Sequence, residues 1–584
     1  MIDVCPVGAL SSKLFRYSAR TWELSRRKSV SPHDSTGANL IVQVKNNQVM
    51  RVVPLELEDV NECWIADRDR FSYEALNGDE RLTAPMIKQG GAWKTVDWTT
   101  ALDYVARSVT QIGAAHGARS IGALGSAHST VEELHLLAKL VRGLGSENID
   151  HRLRHADFGN VAAAGTARWL GSSVASLSNL QRVLVVGSFL RKDHPLFAQR
   201  IRQAARKGGK VHSLHAVHDD WLMPMASRFT AAPSAWVQSL ADIAVAIAAA
   251  KGVAAPAPGQ SNDAAQAIAT SLLGGERKAV LLGNAAAQHP QASSLLALAN
   301  WIGEQTGAAV GYLTAAANSV GAQLVGATPG AAGLNAGQML AGATSPIKAL
   351  LLLNTEPVLD AANAAAAAAA LHAAEMVVML SPFKTAATDV ADVLLPIAPF
   401  TETSGTFVNA EGRVQSFHGV VKPLGETRPA WKVLRVLGNL LGLKGFDFET
   451  SEEVRAEALG DVSQLAARLN NGSAATVTSA SAPNGLERIA DVPIYAADSL
   501  VRRAGSLQTT ADASAPVVGV PASLWGQLGL SDGAKVRVSQ GAAQALLPAR
   551  LDTTLAANAV RVSAGHADTA MLGAMFGAIS VEKA

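Results

Sequence analysis

Between Leu40 and Val53 apolar and polar residues alternate on either side of Asn46–Asn47, the period of two that strands joined by a tight turn require. This predicts a β-hairpin within a small β-rich module over residues 25–84. From Trp98 onward the pattern changes to helical periods separated by short apolar runs: Ile121–Leu124, Arg182–Gly187, Val211–Leu214, Ala279–Gly283, Ala349–Leu353 and Met376–Leu380. Such short runs fit strands buried on both faces of a parallel sheet. Segments of buried helix fit less well, because Val185–Val186–Gly187–Ser188 and Leu281–Leu282–Gly283–Asn284 end in turn residues, as strand-to-helix crossovers do. Ala364–Ala370 predicts an alanine-rich helix. Beyond Pro516, Lys535–Val538, Ala545–Leu551 and Ala559–Val562 alternate between glycine turns and predict a small β-barrel.

Stretches rich in Ala, Gly, Pro and Ser at Ala254–Asn262, Asn470–Asn484 and Gly505–Ala515 mark surface excursions, the last two separating the α/β body from the barrel. At 584 residues the chain exceeds what one core organises, so several domains are expected. With 48% hydrophobic residues, 17% charged residues and a net charge of +2, the composition is that of a globular protein with no polyanionic partner, so nucleic acid is not expected. Met1–Leu10 lacks the pattern of a secretory signal, which places the chain in the cytoplasm. The longest uncharged run, Ala315–Ile347, is broken by glycines, Pro329 and Pro346 and does not suit direct membrane insertion.

Two cysteines, Cys5 and Cys63, are too few for a disulfide framework and too few to hold an iron–sulfur cluster, which takes four protein ligands. No G-x-G-x-x-G opens a helix after a strand and no P-loop occurs, which argues against a freestanding NAD-dependent dehydrogenase. Cys5 precedes Pro6 and small residues. A remote cluster ligand is often followed by proline, which turns the chain away while small neighbours let the backbone approach the sulfurs. An isolated Cys-Pro is also compatible with a plain buried thiol.

The context Cys5–Pro6–Val7–Gly8–Ala9–Leu10, followed by Arg20–Thr21–Trp22–Glu23–Leu24, resembles the family of the large iron–sulfur subunit of respiratory NADH–quinone oxidoreductase, complex I. The resemblance implies that Cys5 is the fourth ligand of a 4Fe–4S cluster whose other cysteines lie upstream of Met1. A broader resemblance, to the molybdopterin oxidoreductase superfamily, covers almost everything after Leu40. It rests on Gln48–Arg51–Val52–Pro54, Arg81–Leu82–Pro85–Met86, Trp98 with Ala101, Asp392–Val393–Leu394–Leu395–Pro396 and, most strongly, Gly405–Thr406–Phe407–Asn409–Glu411–Gly412–Arg413. It implies interleaved Rossmann-like α/β domains with a small N-terminal β module and a C-terminal barrel like a molybdopterin dinucleotide-binding domain. The expected boundaries are 1–24 for the tail of an iron–sulfur region, 25–84 for a degenerate 4Fe–4S-type module, 85–165 with 346–450 for one α/β domain, 166–345 for a second inserted in it, 451–515 for a linker and 516–584 for the barrel.

Aligned on the hairpin, the four cluster ligands of that superfamily fall on Ser31, Asp34, Ala38 and Ala66, none a cysteine, so this site is expected to be vacated and Cys63 to be a buried thiol. Gly125–Ser126 through Glu132–Glu133 to Asn148–Ile149–Asp150 resembles the segment leading to the molybdenum ligand of formate dehydrogenases, whose position falls on Ala156. An alanine methyl coordinates nothing, and no molybdenum is expected. Arg152, Arg154 and His155 beside it could contact an anion, although satisfied structural roles are favoured.

The resulting expectation is a component of NADH:quinone oxidoreductase, not catalytic alone, with other peripheral-arm subunits as partners and a location on the inner face of the cell membrane. Cys5 is its one site residue, sharing a 4Fe–4S cluster. An active molybdopterin-dependent oxidoreductase of formate dehydrogenase type is the alternative, and a redox-free α/β binding protein the least favoured reading.

Overall fold

The computed structural model describes residues 2, 5–159, 162–384, 386–478 and 485–584. Met1, Asp3 and Val4 of the opening motif, and 479–484 of the expected excursion Asn470–Asn484, lie outside them. The first strands, β1 (Ser25–Val30), β2 (Asn39–Lys45) and β3 (Gln48–Pro54), form an antiparallel sheet in that order. Asn46 and Asn47, at φ of 52° and 61°, make the turn between β2 and β3, as their side chains allow. The module is closed by the short helix Asp67–Phe71.

The next elements, β4 (Met86–Gln89), β5 (Ala92–Thr95), β6 (Ile121–Gly125) and β7 (Ile149–Asp150), belong to a seven-stranded sheet. The chain leaves it to build a parallel five-stranded sheet from β8 (Arg182–Val186), β9 (Lys210–His215), β10 (Ser227–Thr230), β11 (Lys278–Leu282) and β12 (Ala309–Tyr312), ordered β10-β9-β8-β11-β12. It then returns with β13 (Ala349–Leu353), β14 (Met376–Ser381) and β15 (Val393–Pro396). The larger sheet runs β5-β4-β15-β14-β13-β6-β7, and β13 pairs in parallel with β6 from Ala349↔Ile121 to Leu353↔Gly125. Every residue of β6 and β13 is buried, which is why both read as unbroken apolar runs. The helix Val131–Gly143 packs on β6 and starts from a capping box in which Thr130 and Glu133 satisfy each other's backbone N–H.

A hairpin of β16 (Gly405–Val408) and β17 (Val414–Phe417) follows. The closed barrel takes β18 (Leu486–Ile489), β19 (Val518–Val520), β20 (Lys535–Gln540), β21 (Ala543–Leu551), β22 (Ala559–Arg561) and β23 (Phe576–Lys583). Its first strand therefore comes from the stretch read as linker. Glu487 and Arg488 are polar yet buried, Glu487 accepting from Ser234 and Arg488 donating to the carbonyls of Val562 and Ala574, so β18 carries no apolar signature. The alanine-rich helix spans Ala364–Ala373, capped by Asn363. Pro233–Lys251 is the one helical stretch among the described residues long and apolar enough to cross a membrane; Trp236, Leu240, Ile243 and Ile247 on it are buried within the five-stranded unit.

Candidate functional site: a filled pocket, an open cleft and a half-buried thiol

The loop between β1 and β2 is closed by the Ser31 N–H donating to the Ala38 carbonyl at 2.9 Å and is held against the β16–β17 hairpin. Asn409 donates to the Thr36 carbonyl at 2.9 Å and Gln415 to that of Gly37 at 2.8 Å. Gly37 has φ of 77°, and a Cβ there would meet the Gln415 and Asn409 side chains at 2.1 and 2.8 Å, so only glycine fits. The Gly405–Arg413 motif is thus a clamp on this loop: Asn409 also accepts from the N–H of Glu411 and Arg413, and Glu411 from that of Val174.

Inside the clamp the positions Ser31, Asp34, Ala38 and Ala66 are all buried. The Ser31 hydroxyl donates to Asp69 at 2.5 Å, and Asp34 is paired with Arg68 at 2.9 Å, both ends of the pair shielded from solvent. His33 bridges Asp498 at 2.7 Å and the Ser72 hydroxyl at 2.8 Å. Burial pushes the Asp34 and Asp498 carboxyls up, but the positive Arg68 beside the first and His33 beside the second outweigh it and hold both below the usual range. Burial wins at Asp69 and raises it. The pocket is filled by these paired groups, although Arg68 Nε and Asp69 Oδ2 are buried without a partner among the described residues. Cys63 stands apart from it and is exposed, which corrects the expectation of a buried thiol. The neighbouring Asn61 turns inward instead, donating to the carbonyls of Leu55 and Trp64 and leaving Cys63 on the outside of the turn.

A cleft of about 1710 Å³, its open mouth included, lies between the two large sheets. Ser126 and His128 follow β6, Asn354 and Thr355 follow β13, Phe189 follows β8 and Asn284 follows β11; all six line it. In both sheets chain order reverses between those strand pairs, so the cleft sits at two facing switch points, where open α/β sheets bind ligands. The sequence hinted at this only through the turn residues after Gly187 and Gly283. Arg152 is paired with Asp150 at 2.8 Å and Arg154 with Asp360 at 2.9 Å, so neither is a free anion-binding cation. The His155 ring lines the cleft, makes no hydrogen bond among the described residues, and is pushed down to about 3 by burial and by Arg152. Ala156 is exposed between them.

Cys5 is half-buried, in a turn where the Gly8 N–H donates to its carbonyl and Gly8 takes φ of 65°. The backbone N–H of Leu10, acting against slight desolvation and aided by those of Ala9, Val7 and Gly8, pulls the thiol below its ordinary value. A lowered thiol lies closer to the thiolate that a metal ligand must be. None of Ser31, Asp34 or Arg68 is among the groups that act on it.

A family model described as molybdopterin oxidoreductase matches residues 81–440. The chain belongs to that family. A second model, described as the NADH-ubiquinone oxidoreductase NDSU1/NuoG-like 4Fe-4S domain, matches residues 24–74. Similar curated proteins are the NADH-ubiquinone oxidoreductase 75 kDa subunit of Reclinomonas americana (26% identical, covering 78% of this chain and 62% of the relative) and the G subunit of the NADH-quinone oxidoreductase of Streptomyces coelicolor (31%, 73% and 54%). A mitochondrial 78 kDa subunit of the NADH-ubiquinone oxidoreductase of Candida albicans is 28% identical over 76% of this chain and 56% of the relative. The chain thus spans between 54% and 62% of the length of these relatives. Among solved structures, acetylene hydratase from Pelobacter acetylenicus shares the fold, with a TM-score of 0.65 at 14% identity over 94% of this chain and 95% of the other.

Within this molybdopterin oxidoreductase body, the residues do not fit the metal groups its relatives suggest. At the four cluster positions two side chains are methyls and the other two are consumed by Asp69 and Arg68. At the position where a molybdenum ligand was expected, Ala156 offers no donor, and no group of three or more His, Cys, Asp or Glu is placed to hold a metal among the described residues.

Proposed function

We propose that this chain serves as part of the large iron–sulfur subunit of an NADH:quinone oxidoreductase. In the full-length protein Cys5 is the remote ligand of a 4Fe–4S cluster that passes electrons one at a time from flavin towards quinone. The remainder is a scaffold in the peripheral arm: a molybdoenzyme-like body without molybdenum that keeps its shape and holds neighbouring subunits on the inner face of the cell membrane. The observation that carries this reading is the half-buried Cys5 thiol in a Cys-Pro turn, lowered by the backbone around Leu10 and without a side-chain partner among the described residues, in a chain whose other expected cluster-ligand positions are Ser31, Asp34, Ala38 and Ala66. Similarity to the Streptomyces coelicolor and Reclinomonas americana proteins supports it.

The alternative, an active molybdopterin-dependent oxidoreductase, would draw on the open cleft, but Ala156 supplies it no metal ligand. Purification of the host's NADH:quinone oxidoreductase through a tag on this chain tests the reading. The expected result is NADH-to-quinone activity in the tagged material, with iron and without molybdenum. Molybdenum at one atom per chain, or a chain that never travels with the activity, would overturn it.

A further inference from the structure

The front half of β1 is exposed on both faces, although the strand as a whole also touches β17. Ser25, Arg26, Arg27 and Lys28 are all exposed, although their cross-strand partners Val44, Gln43, Val42 and Ile41 on β2 are buried. An ordinary edge strand buries alternate residues against its core; here neither face does so until Ser29 and Val30. Strand β1 is also the end of its sheet, and its residues 25–28 make no backbone hydrogen bond beyond those with β2 among the described residues. Arg26, Arg27 and Lys28 enter no ion pair there. The segment leading into them reads the same way. From residue 13 to 28 the sequence places six cations against one carboxylate, Glu23, and Tyr17 and Trp22 are 96% and 81% exposed.

We infer that the free edge of β1 is a docking strand for an acidic, extended segment of another polypeptide, a neighbouring subunit of the complex, which adds as a fourth strand. The inference rests on the proposed membership of that complex. The open edge selects a polypeptide, because only a peptide backbone can complete a strand ladder, whereas a nucleic acid or a lipid surface cannot. The three consecutive cations select acidic residues, which on an added strand meet Arg27 from one face and Arg26 and Lys28 from the other. Cations on an edge also discourage pairing with a second copy of the same edge, so the charge that attracts the partner repels self-association.

The test uses the host complex with this chain carrying Arg26→Glu, Arg27→Glu and Lys28→Glu, beside a control with glutamine at the same three positions. Zero-length carbodiimide coupling of the wild-type complex is expected to join Lys28 to an Asp or Glu of another subunit. Retention of the chain through salt washing is expected to fall roughly tenfold in the glutamate variant and less in the glutamine control, with thermal melting unchanged in both. Equal retention of wild type and glutamate variant would overturn the inference while leaving the functional reading intact, as would coupling of Lys28 only to a second copy of this chain or binding of the free chain to anionic vesicles lost in the variant. A wild-type chain absent from the complex would instead remove the functional reading and this inference with it.

Discussion

At Ser31, Asp34, Ala38 and Ala66 the side chains lie inside the module and are either methyls or members of a hydrogen-bonded network; at Cys5 the thiol is half-buried and lowered by the backbone around Leu10. Both places are expected iron positions on the sequence, and the structure treats them in opposite ways. A buried cation without a partner costs several kcal/mol, and Arg68 avoids that cost by pairing inward with Asp34. Cys5 shows no such resolution: nothing among the described side chains satisfies it, and its environment favours the thiolate.

The sharpest way to break this comparison is to make one substitution at each place. Arg68→Ala strands the Asp34 carboxylate in the interior and is expected to destabilise the module by about 3–5 kcal/mol, whereas Cys5→Ala is expected to stay within about 0.5 kcal/mol. Hydrogen exchange of the β1–β3 amides, followed by mass spectrometry, reads both. Equal protection in the two variants would mean that the network is not what holds the module.

Acid should separate the two places next. Asp34 and Asp498 have folded-state values below their ordinary ones, so their stabilisation is fully present above about pH 4 and is lost as pH falls through the folded values. Asp69, raised by burial, acts in the opposite sense, its contribution becoming more favourable as pH falls. The module is therefore expected to open below about pH 4, and Asp498→Asn to flatten that dependence at a cost of about 2 kcal/mol near neutrality. An acid transition unchanged by Asp498→Asn would contradict the His33–Asp498 contribution.

A smaller effect is chemical. Near pH 7.5 iodoacetamide is expected to alkylate Cys5 faster than Cys63, although Cys63 is the more exposed, because the thiolate is the reacting species. Peptide mass spectrometry gives both rates, and a faster Cys63 would remove the assigned N–H environment. The smallest effect is expected at Ala156, where Ala156→Ser should change stability by less than about 0.5 kcal/mol and leave the metal content of the purified chain unaltered.

Much of the fold was legible in the sequence for a simple reason. Strands such as β6, β8, β11, β13 and β14 are buried on both faces and advertise themselves as short apolar runs. β18 was illegible because Glu487 and Arg488 are buried through hydrogen bonds to partners far along the chain, and β7 because two residues give no period. Of the candidate sites, Cys5 was singled out by a local Cys-Pro signal. The replacement network was not, since His33 meets Asp498 across 465 positions, and Arg68 and Asp69 read as an ordinary charged helix. The exposure of Cys63 was hidden for the same reason, because it depends on which way Asn61 turns.

The central claim, that Cys5 holds iron together with the rest of a longer protein, is tested most directly by electron spin resonance of the assembled NADH:quinone oxidoreductase carrying Cys5→Ser. One reduced 4Fe–4S signal should be lost or altered while the others persist, and quinone reduction should fall while NADH oxidation by small acceptors at the flavin continues. A complete, unchanged set of cluster signals with normal quinone reduction would contradict it.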